Sequence, residues 1–303
     1  MGLAAPPSMP NAAGRTFGIF VGISHYGGDN EDLPGLPSAE RAARIARAFR
    51  EHAWADRAGS VVLTDAAATA SNVRQAFRRV AAQATAADTV VFFFDGHGNS
   101  QEIDLRGPDL SRAELGRMMN AVHGRQLLVL DSCEAGGFAP LVQGRADRAG
   151  LFSSRANESS STAPDVNSGG WLAYAFGQAV SGAVPPRPDG SLDMQAVVRH
   201  VQQTYREHDV TSDQHLVATL GDSWRREGLG GHPGAADVAV ASREPAVDDG
   251  DDAPVTSRPR APGRVTTPFG ALPTGWGISE QQVDQVFGLG TQMAGQVLQA
   301  LVK

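Results

Sequence analysis

Short apolar runs alternate with longer segments of helical periodicity through the first half of this chain. In "PSAERAARIARAFREH", for example, Ala42, Ile45 and Phe49 fall on one helical face and most arginines on the other. The same reasoning predicts strand 16–23, helix 37–52, strand 59–64, helix 69–84, strand 88–98, helix 109–122 and strand 125–133. This order predicts an α/β fold in which helices flank a mostly parallel central sheet with right-handed crossovers.

The second half of the chain is less regular. "GLFSSRANE" and "QHLVATLG" have strand character, whereas "WLAYAFGQAV" and "MQAVVRHVQQTY" have helical periodicity. A Pro-, Gly- and Asp-rich segment follows, and its composition is typical of a disordered linker. We therefore expect a disordered lead at 1–14, one domain at 15–229, a flexible linker at 230–275 and an amphipathic helix at 276–303.

Composition and charge narrow the classes of function. The chain has 303 residues, 41% of them hydrophobic, which is enough for a sizeable core. Its net charge of −7 provides no basic field for nucleic acid or an anionic membrane surface. It has no apolar run of the roughly 20 residues that cross a bilayer, and its first residues lack the pattern of a secretory signal. We expect a cytoplasmic protein with neither nucleic acid nor membrane as a partner.

Cys133 is the one cysteine of the chain, so an internal disulfide and any site with several cysteine ligands are excluded. It is the last residue of the predicted strand segment "RQLLVLDSC". His97 has the same place after "VVFFFD", and one helical crossover connects the two strands, so we expect both residues at the ligand-binding edge of the sheet. An imidazole there would lower the pKa of the thiol and later protonate a leaving amine. Gly136 and Gly137 would let the chain turn away from the thiol. The other histidines lack this setting, except that His25 also follows a predicted strand.

Two motifs, "DGHG" (95–98) and "DSCEAGG" (131–137), resemble those of the caspase-like cysteine peptidases, in particular bacterial metacaspase relatives. The resemblance extends from about 15 to 223 and includes "FGIFVGISHY", "LPGLPSAERAARIARAF" and "SDQHLVATLGDS". It implies a three-layer caspase-like fold and an endopeptidase in which Cys133 attacks a peptide carbonyl with His97 as its partner. It also implies an oxyanion hole formed by the backbone N–H groups of Gly98 and Cys133. The alternative is a non-catalytic caspase-like module that acts as an interaction scaffold.

Asp131 is the candidate for substrate binding, since a continuing strand would turn its side chain to the same face as Cys133. A carboxylate there would bind an Arg, or with second preference a Lys, before the scissile bond. The other interpretation is a structural acid that accepts backbone N–H groups. Metacaspases usually carry a further acid near the start of the first helix. This chain has Ala39 at the closest aligned position and Glu40 one position along, so the sequence predicts one pocket carboxylate. The segment after the nucleophile offers three arginines for self-cleavage: Arg145, Arg148 and Arg155.

No cofactor and no metal site are predicted. The sequence has no phosphate-binding loop, HExxH zinc motif or GxSxG elbow. Some metacaspases depend on calcium, but Glu102, Asp104 and Asp109 in the short loop after His97 give too few ligands to predict a calcium site. The sequence therefore leaves calcium dependence undecided. The expected partners are a protein or peptide substrate and a regulatory protein that docks on the helix at 276–303.

Overall fold

Helices and strands alternate along the first half of the chain, as the periodicity predicts. The computed structural model describes residues 14–52, 54, 59–163, 169–230, 266–267 and 270–271. The helices in this part are α1 (Ser38–Glu51), α2 (Ala70–Ala81), α3 (Arg112–Asn120), α4 (Trp171–Gln178), α5 (Met194–Glu207) and α6 (Asp222–Glu227). The strands are β1 (Thr16–Gly22), β2 (Val61–Thr64), β3 (Thr89–Asp95), β4 (Glu102–Ile103), β5 (Leu110–Ser111), β6 (Arg125–Asp131), β7 (Arg148–Phe152), β8 (Ser191–Leu192), β9 (Val217–Leu220), β10 (Leu229–Gly230), β11 (Thr266–Thr267) and β12 (Gly270–Ala271).

Six of the described strands form the central sheet, in the order β2-β1-β3-β6-β7-β9. All neighbours pair in parallel except β9, which is antiparallel to β7. The predicted mostly parallel sheet is therefore confirmed. Strands β3 and β6 are neighbours and their last residues, Asp95 and Asp131, are register partners. As a result, the segments that carry His97 and Cys133 leave the sheet side by side.

Alternate residues of β3 are buried in two different apolar layers. Val91 and Phe93 belong to the layer that also contains residues of α1, α4 and α5. Phe92 and Phe94 belong to the layer that contains residues of α2 and α3. Burial of each large side chain contributes roughly 1.5–3 kcal/mol before the entropy cost of ordering it. Coverage on both faces explains why this strand is apolar at consecutive positions, and it confirms the three-layer α/β arrangement.

The ends of some elements differ from the predicted ones. β6 ends at Asp131, so Cys133 lies beyond the strand instead of inside it. β7 begins at Arg148, and this arginine is buried because its guanidinium donates to the carbonyl oxygen of Leu141 at 2.9 Å and to Asn120 Oδ1 at 2.8 Å. The prediction that Arg148 is a loop residue open to self-cleavage is therefore wrong.

The chain divides into two units, residues 1–241 and 242–303. The predicted lead at 1–14 and the predicted helix at 276–303 lie outside the described residues, apart from Gly14. Within the predicted linker at 230–275, β11 and β12 form a short antiparallel pair. In the described part of the chain, no helix has the length and apolar character needed to cross a membrane.

Candidate active site

His97 and Cys133 line one cavity at the carboxyl ends of β3 and β6. The cavity has a volume of about 80 Å³. The rest of its lining comes from the two strand ends and from the segments before α1 and α4: Leu36, Asp95, Gly96, Asp131, Ser132, Ser160, Ser161, Thr162 and Gly170. The structure thus brings three of the predicted site residues, His97, Asp131 and Cys133, to one cavity, and Gly98 directly follows His97.

Pro34 and Tyr26 hold His97 in place. The Nε2 atom of His97 lies 2.9 Å from the carbonyl oxygen of Pro34. Because a carbonyl only accepts hydrogen bonds, Nε2 carries a proton, and in the neutral ring Nδ1 is then free to accept one. The Tyr26 ring lies 5.2 Å from the imidazole, centroid to centroid, and its hydroxyl oxygen accepts the backbone N–H of His97 at 2.6 Å. Burial raises the pKa of Tyr26, so the hydroxyl stays neutral.

The Cys133 thiol is partly buried and contacts the backbone of Ser160. The N–H of Ser160 donates to Sγ at 3.4 Å, and Sγ lies 3.8 Å from the carbonyl oxygen of Ser160. No hydrogen bond joins Sγ to the His97 ring in the described structure, and such catalytic contacts often tighten only when substrate binds.

Two backbone N–H groups near the thiol have no acceptor among the described residues. Gly98 lies in a short antiparallel bridge whose two hydrogen bonds are donated by Asn99 and Asp104, so its own N–H is unused. The N–H of Cys133 is likewise unused. A side chain at Gly98 would be a tight fit, since a Cβ would lie 3.0 Å from the carbonyl oxygen of Glu102. Two unused donors are what an oxyanion hole requires.

The glycines after Cys133 allow close packing and do not make the turn that the sequence suggests. A Cβ at Gly137 would lie 2.4 Å from the Ser100 carbonyl oxygen, and one at Gly136 would lie 2.7 Å from that of Ser154. The left-handed residue that redirects the chain is Glu134, with φ of 54°. Its carboxylate accepts the N–H of Ser100 at 3.1 Å, which ties the segment after the thiol to the segment after His97.

Asp131 lies at the floor of the cavity and is only 2% exposed. Its Oδ1 accepts the hydroxyl of Ser160 at 3.0 Å, and its Oδ2 accepts the backbone N–H of Ala173 at 2.7 Å. Burial raises the pKa of Asp131 to about 6. The bond from Ala173 is the contact that a structural acid makes, and the position beside the thiol is the one that a substrate-binding acid needs, so both interpretations of this residue find support.

Gln214 is a site residue that the sequence analysis did not single out. Its Oε1 accepts the N–H and the hydroxyl of Ser161 at 2.9 and 3.0 Å, which fixes the orientation of the amide. Its Nε2 donates to Ser160 Oγ at 3.1 Å and to the Ser153 carbonyl oxygen at 2.9 Å. Gln214 thereby holds the segment that contacts both Cys133 and Asp131. The available signal was its place in "SDQHLVATLGDS", the segment that resembles the closing strand of the family.

Other residues considered from the sequence lie away from the cavity. His25 is exposed, with its Nδ1 3.8 Å from Asp65 Oδ2. Asp109 accepts the side-chain amide of Asn30 at 2.6 Å. Within the described residues, no group of three or more His, Cys, Asp or Glu side chains is placed to hold a metal ion.

Comparisons with known proteins identify the family and the fold. A family model described as a caspase domain matches residues 15–219. The fold is similar to that of a protein from Geobacter sulfurreducens, with a TM-score of 0.51 and 13% identity over 68% of this chain and 94% of that one. It is also similar to caspase-1 from Spodoptera frugiperda, with a TM-score of 0.50 and 13% identity over 72% of this chain and 94% of that one. At 13% identity, the two structures show a similar fold and nothing about function. A search of curated proteins finds no match.

Proposed function

The chain belongs to the caspase domain family of cysteine peptidases, and from this premise we propose that it is an endopeptidase with His97 and Cys133 as its catalytic pair. One observation carries the proposal: the only thiol of the chain shares a cavity with an imidazole whose Nε2 is held by the carbonyl oxygen of Pro34. That hydrogen bond leaves Nδ1 as the base. It also stabilises the imidazolium that forms once Nδ1 has taken a proton.

The steps follow from these atoms. Nδ1 of His97 takes the thiol proton while Sγ of Cys133 bonds to the substrate carbonyl carbon. The carbonyl oxygen becomes an anion that the N–H groups of Gly98 and Cys133 bind. His97 then protonates the amine as the C–N bond breaks, which leaves a thioester. Water attacks the thioester with Nδ1 as the base, releasing the carboxylic acid and restoring the thiol. The proposed steps need no cofactor.

Substrate preference is assigned to Asp131. A carboxylate at the floor of the cavity accepts two parallel hydrogen bonds from a guanidinium, which an ammonium does not match. We therefore propose cleavage after Arg, with Lys second. An Asp before the scissile bond would meet a like charge instead. The natural partner would be a protein or peptide with an accessible Arg.

The test is a set of matched fluorogenic peptides that differ only in the residue before the scissile bond, assayed with and without calcium. The wild type is expected to cleave after Arg faster than after Lys and not after Asp. His97→Ala should lower kcat by roughly 10²–10⁴-fold, because it removes the general base. Cys133→Ala should lower kcat by more than about 10⁴-fold, because it removes the nucleophile.

The matched control is His123→Ala, because this exposed histidine lies outside the cavity and its loss should leave the rates unchanged. Near-wild-type activity of pure Cys133→Ala would overturn the mechanism. A non-catalytic scaffold, the alternative function, would give no cleavage of any peptide. It would also give a Cys133 thiol that reacts with iodoacetamide no faster than a free thiol at pH 7.

A further inference from the structure

Asp95 stands beside Asp131 at the ends of two neighbouring strands. The two residues are register partners in the pairing of β3 with β6, and both line the cavity that contains Cys133. Each of the two acids is only 2% exposed. Neighbouring strands are about 5 Å apart, so the two carboxyl groups lie side by side and are shielded from bulk solvent. The sequence predicts one carboxylate here.

The hydrogen bonds of the two acids differ. Both carboxylate oxygens of Asp131 accept hydrogen bonds. In Asp95, Oδ1 accepts one from the hydroxyl of Ser38 at 2.9 Å. Oδ2 of Asp95 is buried and, among the described residues, accepts no hydrogen bond of good geometry, although the backbone N–H of Gly170 is near enough to offset part of the rise in the pKa of Asp95 that burial causes. Leaving a buried polar atom without a good hydrogen bond is unfavourable, and more so when the group is charged. Oδ2 of Asp95 is therefore available to a donor that a ligand brings into the cavity.

The surrounding charges point to a ligand cation. Burial and the negative charge of Asp131 raise the pKa of Asp95, and the nearby Arg41 acts in the opposite direction with a smaller effect. Two buried carboxyl groups this close do not both ionise readily unless a further cation joins them. A cation brought into the cavity by a ligand would satisfy Oδ2 and allow both acids to ionise.

We propose that Asp95 is the second carboxylate of the specificity pocket and that it binds the guanidinium of a substrate Arg together with Asp131. The proposal rests on the peptidase function proposed above and deepens it. The acid that the resemblance leads one to expect near Ala39, at the start of α1, is missing. Ser38, the residue before Ala39, donates a hydrogen bond to Asp95. Asp95, at the end of β3, therefore places a carboxyl group close to where the missing acid would lie.

The shape of a guanidinium suits two acids on neighbouring strands. Its five N–H groups lie in one plane and can donate to two carboxylates at once, whereas an ammonium is a compact point charge. Two carboxylates should therefore increase the ratio of the cleavage rate after Arg to the cleavage rate after Lys.

The test compares wild type with Asp95→Asn on two matched peptides, one with Arg before the scissile bond and one with citrulline, which has nearly the same shape but no charge. The variant should cleave the Arg peptide roughly 10–100-fold less efficiently and the citrulline peptide at the wild-type rate. The rate of Cys133 alkylation by iodoacetamide should not change. The control is Asp104→Asn, which removes a half-buried acid near His97 from outside the cavity and should leave the ratio of the two rates unchanged.

Each outcome decides the proposal. An equal loss of cleavage efficiency with both peptides would show that Asp95 acts through the fold. Unchanged cleavage of the Arg peptide would show that Asp95 does not bind substrate. Either result overturns the inference and leaves the peptidase function standing. If the wild type cleaves neither peptide, the peptidase function fails and the inference fails with it. Asp95→Ser, a second neutral variant, should show the same loss confined to Arg if Asp95→Asn does not fold.

Discussion

At the scale of the residue, backbone groups far apart in the chain decide what the side chains of the site can do. The carbonyl oxygen of Pro34 fixes the proton on His97 Nε2, and the N–H of Ser160 lies against the Cys133 sulfur. The spacing of "DGHG" and "DSC" was enough to place His97 and Cys133 at one edge of the sheet. Sequence gave no sign of the contacts from Pro34 and Ser160, because they depend on loop paths that no periodicity encodes.

Burial of the Asp131 carboxylate should lower the free energy of unfolding at neutral pH. Its pKa rises from the usual 3.8 to about 6 in the folded protein because burial disfavours the charged form. The folded state therefore holds this proton more tightly than the unfolded state, and the stability that this gives below pH 4 is lost as pH rises through about 6. Because Asn does not titrate, the stability of wild type relative to Asp131→Asn should fall as the pH rises from about 4 to 7.5. Urea unfolding of both proteins across this range measures it.

Asp88→Asn is the control with the opposite sign. Burial acts to raise the pKa of Asp88, but hydrogen bonds from Thr85 and Arg15 outweigh it and lower the pKa. Removing that charge should destabilise the protein at neutral pH. Equal stability of wild type and Asp131→Asn at every pH would show that Asp131 titrates normally, contrary to its burial.

At the scale of the element, apolar patterning predicts the longer helices and strands in both halves of the chain, including α4, α5, β7 and β9, whereas the shortest strands carry no pattern. Apolar spacing predicts three strands and three helices in the first half of the chain: β1, β3, β6, α1, α2 and α3. The pattern is clear because each helix buries one apolar face against the sheet and these strands are buried on both faces. The two-residue strands β4, β5, β8 and β10 are too short for any pattern to predict. The segment 158–162, which touches the thiol and Asp131, has no regular structure of its own and depends on hydrogen bonds from elsewhere.

Gln214 should control this segment. In Gln214→Ala the N–H and hydroxyl of Ser161 lose their acceptor and Ser160 Oγ loses a donor. We expect kcat/KM for the Arg peptide to fall by at least about 10-fold, since the segment that contacts Cys133 and Asp131 is no longer held in place and small displacements of an active site are costly. Faster hydrogen exchange at residues 158–162 should accompany the loss.

The control for this variant is Gln203→Ala on α5, where an exposed amide donates only to Glu207. It should change neither the exchange nor the rate. Fast exchange in Gln214→Ala with full activity would mean that the segment need not be fixed for catalysis.

At the scale of the whole molecule, the parts that make the site lie within residues 14–230. All strands of the central sheet, both apolar layers and the cavity fall in this range. Truncation after Ser242 should therefore leave a folded core with unchanged kcat/KM on the Arg peptide and a melting temperature within a few degrees of the full chain. Differences should be confined to regulation or partner binding. Loss of a cooperative thermal transition would show that the removed residues belong to the core.

The central claim is that Cys133, activated by His97, forms a covalent bond to a substrate that carries Arg. The most direct measurement is intact-protein mass spectrometry after incubation with a peptide acyloxymethyl ketone that ends in Arg. Because the chain has one cysteine, a single adduct reports on Cys133. We expect complete labelling of the wild type, little labelling of His97→Ala in the same time, and none with the matched peptide that ends in Asp. Equal labelling of wild type and His97→Ala, or preference for the Asp peptide, would contradict the account.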